Sequence, residues 1–366
     1  MKVLQVVPAL SAGGVERTTI EIAQALTNAG HSAHVASAGG RLEGELITAG
    51  GIFHELPMDS KNPAKLRSNS RTLIKLIKAE KIDIVHARSR APAWAAHAAA
   101  RACNVPFVTT YHGIYNAKSR LKRRYNAIMA KGDIIIANSQ FTCEHIIKTH
   151  GVERARIVVI PRGVDMARFD PRAIKASDIK AQRAAWGAGA GETCLLLPGR
   201  LTGWKGQRVA IKALAKARQT LSAKLILLGD AQGRDDYVTE LKVLAESLGV
   251  AEDVIIPGHS DNVPLALASA DMVISASTDP EAFGRVAAEA QAMGKWVIAS
   301  DHGGARETVI DGATGARTAV GDSDALAGAI LSAPSFDKAK SRAHIAQNFS
   351  DSQMKAKTLA VYAKFV

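Results

Sequence analysis

Short runs of branched apolar residues alternate with helix-length amphipathic stretches along nearly the whole chain, and this alternation limits the fold more than any other feature. In the first half VLQVVPAL (3–10), HSAHVAS (31–37), IDIVHARS (82–89), PFVTTYHG (106–113), DIIIANSQFT (133–142) and RIVVIPRGVD (156–165) read as strands. After residue 192 the pattern returns as TCLLLPG, AKLILLGD, DVIIPGH, DMVISAS and KWVIAS. Runs that are apolar at every position belong to parallel strands covered by helices on both faces. Their alternation with helices builds doubly wound α/β domains. Two Rossmann-like domains are predicted, 1–165 and 193–348. Residues 166–192, rich in Ala, Lys and Asp and without a strand pattern, are expected to be a linker with a short helix. An amphipathic terminal segment occupies 349–366.

A chain of 366 residues with 47% hydrophobic content can bury two substantial cores. No run of eighteen apolar residues occurs, so a spanning helix is not expected, and MKVLQVVPAL enters a strand too directly for a signal peptide. Cys103, Cys143 and Cys194 are odd in number and widely spaced, as reduced core thiols of a cytoplasmic protein would be. The charge is lopsided. Residues 1–165 hold 23 Lys and Arg against 12 Asp and Glu, and residues 166–366 hold 24 against 22. A basic first half fits an acidic partner, either anionic lipid headgroups or nucleic acid. Two segments concentrate it: 61–81, and 117–131, where Lys118, Arg120, Lys122, Arg123, Arg124 and Lys131 interleave with Leu121, Tyr125, Ile128 and Met129. That mixture suits an interfacial helix as well as an ordinary basic surface. No zinc spacing or reading helix accompanies it, so no nucleic-acid partner is expected. The expected location is cytoplasmic, peripherally associated with the inner face of the cytoplasmic membrane.

Two stretches carry chemistry. LLLPGRLTGWKGQRVAIKAL (195–214) is a strand, a glycine-containing loop and a helix, with Arg200 and Lys205 in the loop. Two cations beside a helix N-terminus suit a diphosphate without a metal. The loop lacks the spacing of a Walker A motif, and as an isolated feature it is also an ordinary basic turn. DPEAFGRVAAEAQAMGKWVIAS (279–300) holds Glu281 and Glu289, with Arg285 between them. The i, i+4, i+8 spacing permits a plain Glu–Arg–Glu ladder on a helix face, and equally two carboxylates facing one ligand. Asp322 of the DSD run opens a helix and reads as an N-cap; no metal ligands are assigned.

G-R-L-x-x-x-K-G followed downstream by E-A-F-G-x-x-x-x-E resembles the retaining glycosyltransferases of family 4, which have the GT-B fold, and the likeness extends over nearly the whole chain. The resemblance implies two Rossmann-like domains facing a central cleft, with the terminal helix returning to the first. It implies that Arg200 and Lys205 clamp the donor diphosphate and that Glu281 faces the transferred sugar. The backbone of Ala282, Phe283 and Gly284 then touches sugar and phosphate, and Glu289 holds the ribose. It further implies donor contacts from Gly13 and Gly14 and from the base loop at Gly258 and His259. His112 stands near the sugar, and Arg88, Ser139 and Arg162 serve the acceptor. LLGDAQGR (227–234) departs from the usual Gly-x-Gly of the family. VHARSRAPAW and VTTYHGIY are similar to bacterial lipopolysaccharide-core mannosyltransferases. The expected activity is retaining, metal-independent and cofactor-free hexosyl transfer to a lipid-linked glycan on an anionic membrane surface. GDP-mannose is the first-choice donor and a UDP-sugar the second. The alternatives are a UDP-sugar-dependent transferase acting on another acceptor, or a GT-B sugar-nucleotide epimerase.

Overall fold

The computed structural model describes residues 1–11, 13–115 and 119–366. It divides into two compact units, one of Met1–Pro161 with Ser352–Val366, the other of Arg162–Asp351.

Unit 1 carries seven strands: β1 (Lys2–Val6), β2 (Ser32–Ser37), β3 (Ile52–Glu55), β4 (Ile84–Ala87), β5 (Phe107–Tyr111), β6 (Ile134–Ala137) and β7 (Ile157–Val159). Their spatial order is β3-β2-β1-β4-β5-β6-β7, every pair parallel. Alternate residues of each strand enter opposite helical layers. Leu4, Val6, Val85 and Phe107 pack on one side, and Val3, Ile84, Val108 and Ile136 on the other. This two-sided burial is why the runs are mostly apolar, with Gln5, His34, His86, Thr109 and Thr110 as buried polar exceptions. Local chemistry sets the helix ends: Asn62 accepts the Ala64 N–H ahead of Pro63–Glu80, and Asp322 accepts those of Asp324 and Ala325 ahead of Ser323–Leu331, as its N-cap reading expects.

Unit 2 carries β8 (Thr193–Pro198), β9 (Ala223–Leu228), β10 (Val254–Gly258), β11 (Met272–Ser275), β12 (Trp296–Ser300) and β13 (Gly315–Thr318), in the order β10-β9-β8-β11-β12-β13. In each sheet the strand order reverses once, between β1 and β4 and between β8 and β11. Loops leaving the carboxyl ends of two such strands run to opposite faces and leave a crevice, the usual ligand position in open α/β sheets. In unit 2 those loops are 199–206 and 276–284.

Several expectations are corrected. Residues 166–192 are not a linker but part of unit 2, where Phe169 and Trp186 are each 2% exposed in the core and Arg183 donates to the carbonyls of Ser269 and Glu192. The first unit ends at Pro161, not 165, and the returning segment starts at Ser352, because Phe349 packs in the core of unit 2. The edge strands β3 and β13 were not anticipated. Each pairs on one side only and is half-exposed, so neither needs a continuous apolar run. Lys118 lies outside the described residues. All three cysteines are unpaired. Among the described residues no helix is long and apolar enough to cross a membrane.

Candidate active site

The loop after β8 is fixed before any side chain acts. Gly206 has φ 81°, and a Cβ there would sit 1.9 Å from the Ala276 carbonyl oxygen, so only glycine lets the two switch-point loops meet. Thr278 N–H donates to the Trp204 carbonyl at 2.7 Å across the same junction. Gln207, fully buried in the first turn of the helix Gln207–Ala217, donates Nε2 to the Arg200 carbonyl at 3.0 Å and accepts from the Tyr237 hydroxyl at 3.2 Å. Arg200 is thereby held by its backbone while its guanidinium stays exposed.

Lys205 turns the other way. Its ammonium donates to Glu281 Oε1 at 2.7 Å and lies 4.5 Å from the centre of the Trp204 ring. The two side chains are 13% and 18% exposed, shielded enough to strengthen the pairing yet open to a ligand. The Ser277 hydroxyl donates to the same Oε1 at 2.5 Å, and His302 Nε2 bonds the Ser277 carbonyl at 2.8 Å. Gly304 N–H donates to the Glu281 carbonyl at 2.8 Å; a Cβ on Gly304 would lie 2.4 Å from Phe283 Cα. Glu281 is therefore fixed at its main chain and at one carboxylate oxygen.

The Glu281–Arg285–Glu289 ladder is only half realised. The helix runs Arg285–Ala292 behind Gly284, which leaves Glu281 in the loop, and Arg285 Nε bonds Glu289 Oε1 at 2.5 Å. Glu289 is 9% exposed. Phe283 buries its ring against Phe349, centroids 5.6 Å apart, so at 283 the main chain alone is available to a ligand. Gly258 joins this neighbourhood through backbone: its carbonyl accepts from Gly229 N–H at 2.9 Å, and a Cβ on Gly229 would lie 2.0 Å from the Gly199 carbonyl oxygen. The His259 side chain is 66% exposed and pairs with Asp261 at 3.1 Å.

In unit 1 the predicted residues divide. Gly13 (φ 132°) and Gly14 open the helix Gly14–Asn28 after β1, and half-buried His112 follows β5, where the Tyr115 hydroxyl bonds to its backbone. Arg88, expected to serve the acceptor, lies in the core. It is 2% exposed, donates Nε to Gln5 Oε1 at 2.6 Å and bonds Tyr362, so its position at a strand end belongs to the core. Ser139 is fully buried and caps the helix Gln140–His150 by accepting the Thr142 N–H at 2.9 Å. Arg162, half-buried, opens unit 2. Beside Arg88, His86 lies between the Tyr362 hydroxyl at 2.6 Å and the Thr110 hydroxyl at 2.7 Å. Burial, then the Arg88 charge, pushes this imidazole well below 6.5 and keeps it neutral, so one ring nitrogen donates and the other accepts.

Ser277, His302, Gln207 and Trp204 were not singled out by sequence reasoning. None stands at a spacing with chemical meaning; their role comes from the meeting of two loops.

Comparison with known proteins places this geometry. The model of Glycosyltransferase Family 4 matches residues 12–168, and that of Glycosyl transferases group 1 matches 178–350. A D-inositol 3-phosphate glycosyltransferase of Xylanimonas cellulosilytica is 31% identical over 255 residues, a match that takes in 64% of this chain and only 59% of that relative. The crystal structure of a glycosyltransferase from Rickettsia africae superposes with a TM-score of 0.91 at 35% identity, covering 100% of this chain and 98% of the other. Anabaena Alr3699/HepE in complex with UDP and glucose superposes at 0.84 with 28% identity over 99% of both chains.

Proposed function

Because the chain belongs to glycosyltransferase family 4 and has the GT-B architecture, we propose that it moves a hexose from a nucleoside-diphosphate sugar to an acceptor hydroxyl, with retention at the anomeric carbon and without a resident metal. The observation that carries this reading is the pairing of Lys205 with Glu281 at the unit 2 switch point, with the Arg200 guanidinium exposed on the same loop. A diphosphate at the N-terminus of the helix Gln207–Ala217 meets both cations and the helix dipole. As the bond from the anomeric carbon to the diphosphate oxygen breaks, negative charge grows on the leaving group. Preorganised cations stabilise that charge. Glu281 orients the sugar, Glu289 accepts from the ribose hydroxyls, and the main chain at Gly258 lies against the base. No side chain is assigned as nucleophile.

A UDP-hexose is placed ahead of GDP-mannose, since the Anabaena structure at 28% identity holds UDP and glucose. The acceptor is a lipid-linked glycan reached from an anionic membrane surface. Supporting this are the exposed Leu121, Lys122, Arg123 and Arg124 of the helix Arg120–Asn126, Leu121 being 82% exposed, and the cations of Pro63–Glu80. A second reading, an inositol phosphate acceptor, is favoured by the Xylanimonas relative.

Thermal unfolding with UDP-glucose and with GDP-mannose tests the donor, because a ligand of the folded state raises the midpoint. Stabilisation by UDP-glucose is expected; stabilisation by GDP-mannose alone reverses the donor order, and a shift with neither defeats the reading. Labelled donor incubated with lipid extract or with inositol phosphate then identifies the acceptor. Conversion of the donor with no acceptor present would identify an epimerase instead.

A further inference from the structure

Glu281 carries two carboxylate oxygens in different surroundings. Oε1 accepts from Lys205 Nζ at 2.7 Å and from Ser277 Oγ at 2.5 Å. An ionised carboxylate has about two acceptor sites on each oxygen, so those two donors fill Oε1. Neither of them uses Oε2. Ser277 is itself immobilised: it is 3% exposed, and His302 Nε2 bonds its carbonyl at 2.8 Å, which assigns Nε2 as the protonated nitrogen of that ring.

We propose that Ser277, steadied by His302, is a positioning residue that fixes Glu281 through Oε1 so that Oε2 alone is presented to a hydroxyl of the donor's sugar. This rests on the donor reading given above. Lys205 shares the arrangement. One of its three N–H groups is spent on Glu281, which leaves two for the diphosphate, so the same ammonium touches the groups that recognise sugar and phosphate. Sugar recognition then depends on Ser277 in a way that recognition of the bare nucleotide does not. Removing the hydroxyl frees the carboxylate to rotate about its terminal torsion, which has a broad energy profile and does not restore the lost orientation.

Calorimetric titration of the full chain with UDP and with UDP-glucose tests this. In Ser277→Ala, affinity for UDP-glucose is expected to fall about tenfold, as for a lost hydrogen bond to a charged group, while affinity for UDP stays at the wild-type value. Ser277→Thr, which restores a hydroxyl, is expected to recover most of the loss. If Ser277→Ala does not fold, Ser277→Cys, with similar volume and a weaker donor, is expected to show the same pattern. Equal weakening of UDP and UDP-glucose in Ser277→Ala, or no recovery in Ser277→Thr, overturns the positioning role and leaves the donor reading standing. A wild-type chain that binds UDP but gains nothing from the glucose overturns the role as well. A wild-type chain that binds neither UDP-glucose nor GDP-mannose overturns the donor reading and this role with it.

Discussion

The two sheets share a strand order and put polar residues to opposite uses at their switch points. In unit 2 the polar groups sit in loops beyond the strand ends, where Lys205 and Glu281 keep partial exposure. In unit 1 the polar groups beside β1 and β4 point into the layer between the sheet and the returning helix. Gln5, His86, Arg88 and Tyr362 are all fully or nearly fully buried there. One arrangement keeps charge available to a ligand; the other spends it on fastening the C-terminal segment to the strands. Topology therefore supplies a crevice, and the depth of the polar side chains decides whether it holds chemistry.

The sharpest way to break that comparison is to truncate Tyr362, whose ring is fully buried and whose hydroxyl meets His86 and Arg88. Tyr362→Ala is expected to cost about 3–5 kcal/mol of stability by urea unfolding, the scale of a lost buried aromatic. UDP-glucose affinity under native conditions is expected to hold. A small stability loss accompanied by lost donor binding would invert the roles of the two regions. Lys205→Ala is the complementary change. It should lower kcat/KM by about 3 kcal/mol, roughly a hundredfold, with a smaller loss of stability than Tyr362→Ala. Near-wild-type turnover would remove Lys205 from the mechanism.

As pH falls through the imidazole range, acid should act on unit 1 more than on unit 2. In unit 2 the lowered acidic groups Asp170, Glu192 and Asp301 respond only in the carboxylate range, and His344 is the lowered imidazole. His86 is pushed well below 6.5 by burial and then by Arg88, while His34 and His54, bonded to each other at 3.0 Å, are lowered chiefly by burial. Lys2 lowers His34 further, and Glu80 opposes the shift at both. These imidazoles stay neutral in the folded chain at a pH where the unfolded chain binds a proton. Their contribution is complete above 6.5 and is lost as pH falls toward the folded values. Denaturation midpoints should therefore decline as pH falls below 6.5, and His54→Gln should make the decline shallower. A flat wild-type profile would show that these rings are not protonated on unfolding.

The sequence was most informative where burial is two-sided. The inner strands β1, β4, β5, β8 and β11 are covered on both faces and read as short, mostly apolar runs, in which Gln5, His86, Thr109 and Thr110 are buried polar exceptions. β3 and β13 escape because each is a four-residue, half-exposed edge strand, unlike the edge strands β7 and β10, whose segments carry the apolar runs Ile157–Val159 and 254–256. Phe169 and Trp186 bury as single aromatics in stretches without a strand pattern, a signal too sparse to tell core from linker. The Arg200, Lys205 and Glu281 loops were recognisable as motifs, but the Lys205–Glu281 bond joins residues 76 apart in the chain and no local spacing encodes it. Arg88 and Ser139 show the converse. A polar residue at a strand end looks like a site residue in one dimension, while its side chain is committed to the core or to a helix cap. Arg88 continues the alternation of Ile84 and His86 beyond the end of β4, and that parity already points it toward the inner layer.

The smallest expected effect concerns His259, which the family resemblance places near the base. Its imidazole is 66% exposed and its partner Asp261 is fully exposed, so the pair has little energetic weight in water. The Gly258 carbonyl, by contrast, is tied to Gly229 N–H, and Gly229 lies tight against Gly199 at the start of the Arg200 loop. If the base is recognised by this stretch of main chain, His259→Ala should leave UDP affinity and its preference over GDP unchanged. A Cβ at Gly258 meets nothing within 4 Å, but the residue holds φ 85°, which strains any L side chain. Gly258→Val should therefore weaken UDP by distorting the main chain while leaving the Lys205–Glu281 pair intact. Loss of base preference in His259→Ala would instead assign the reading of the base to a side chain, and would make this edge of unit 2 as dependent on an exposed group as the Lys205 loop is.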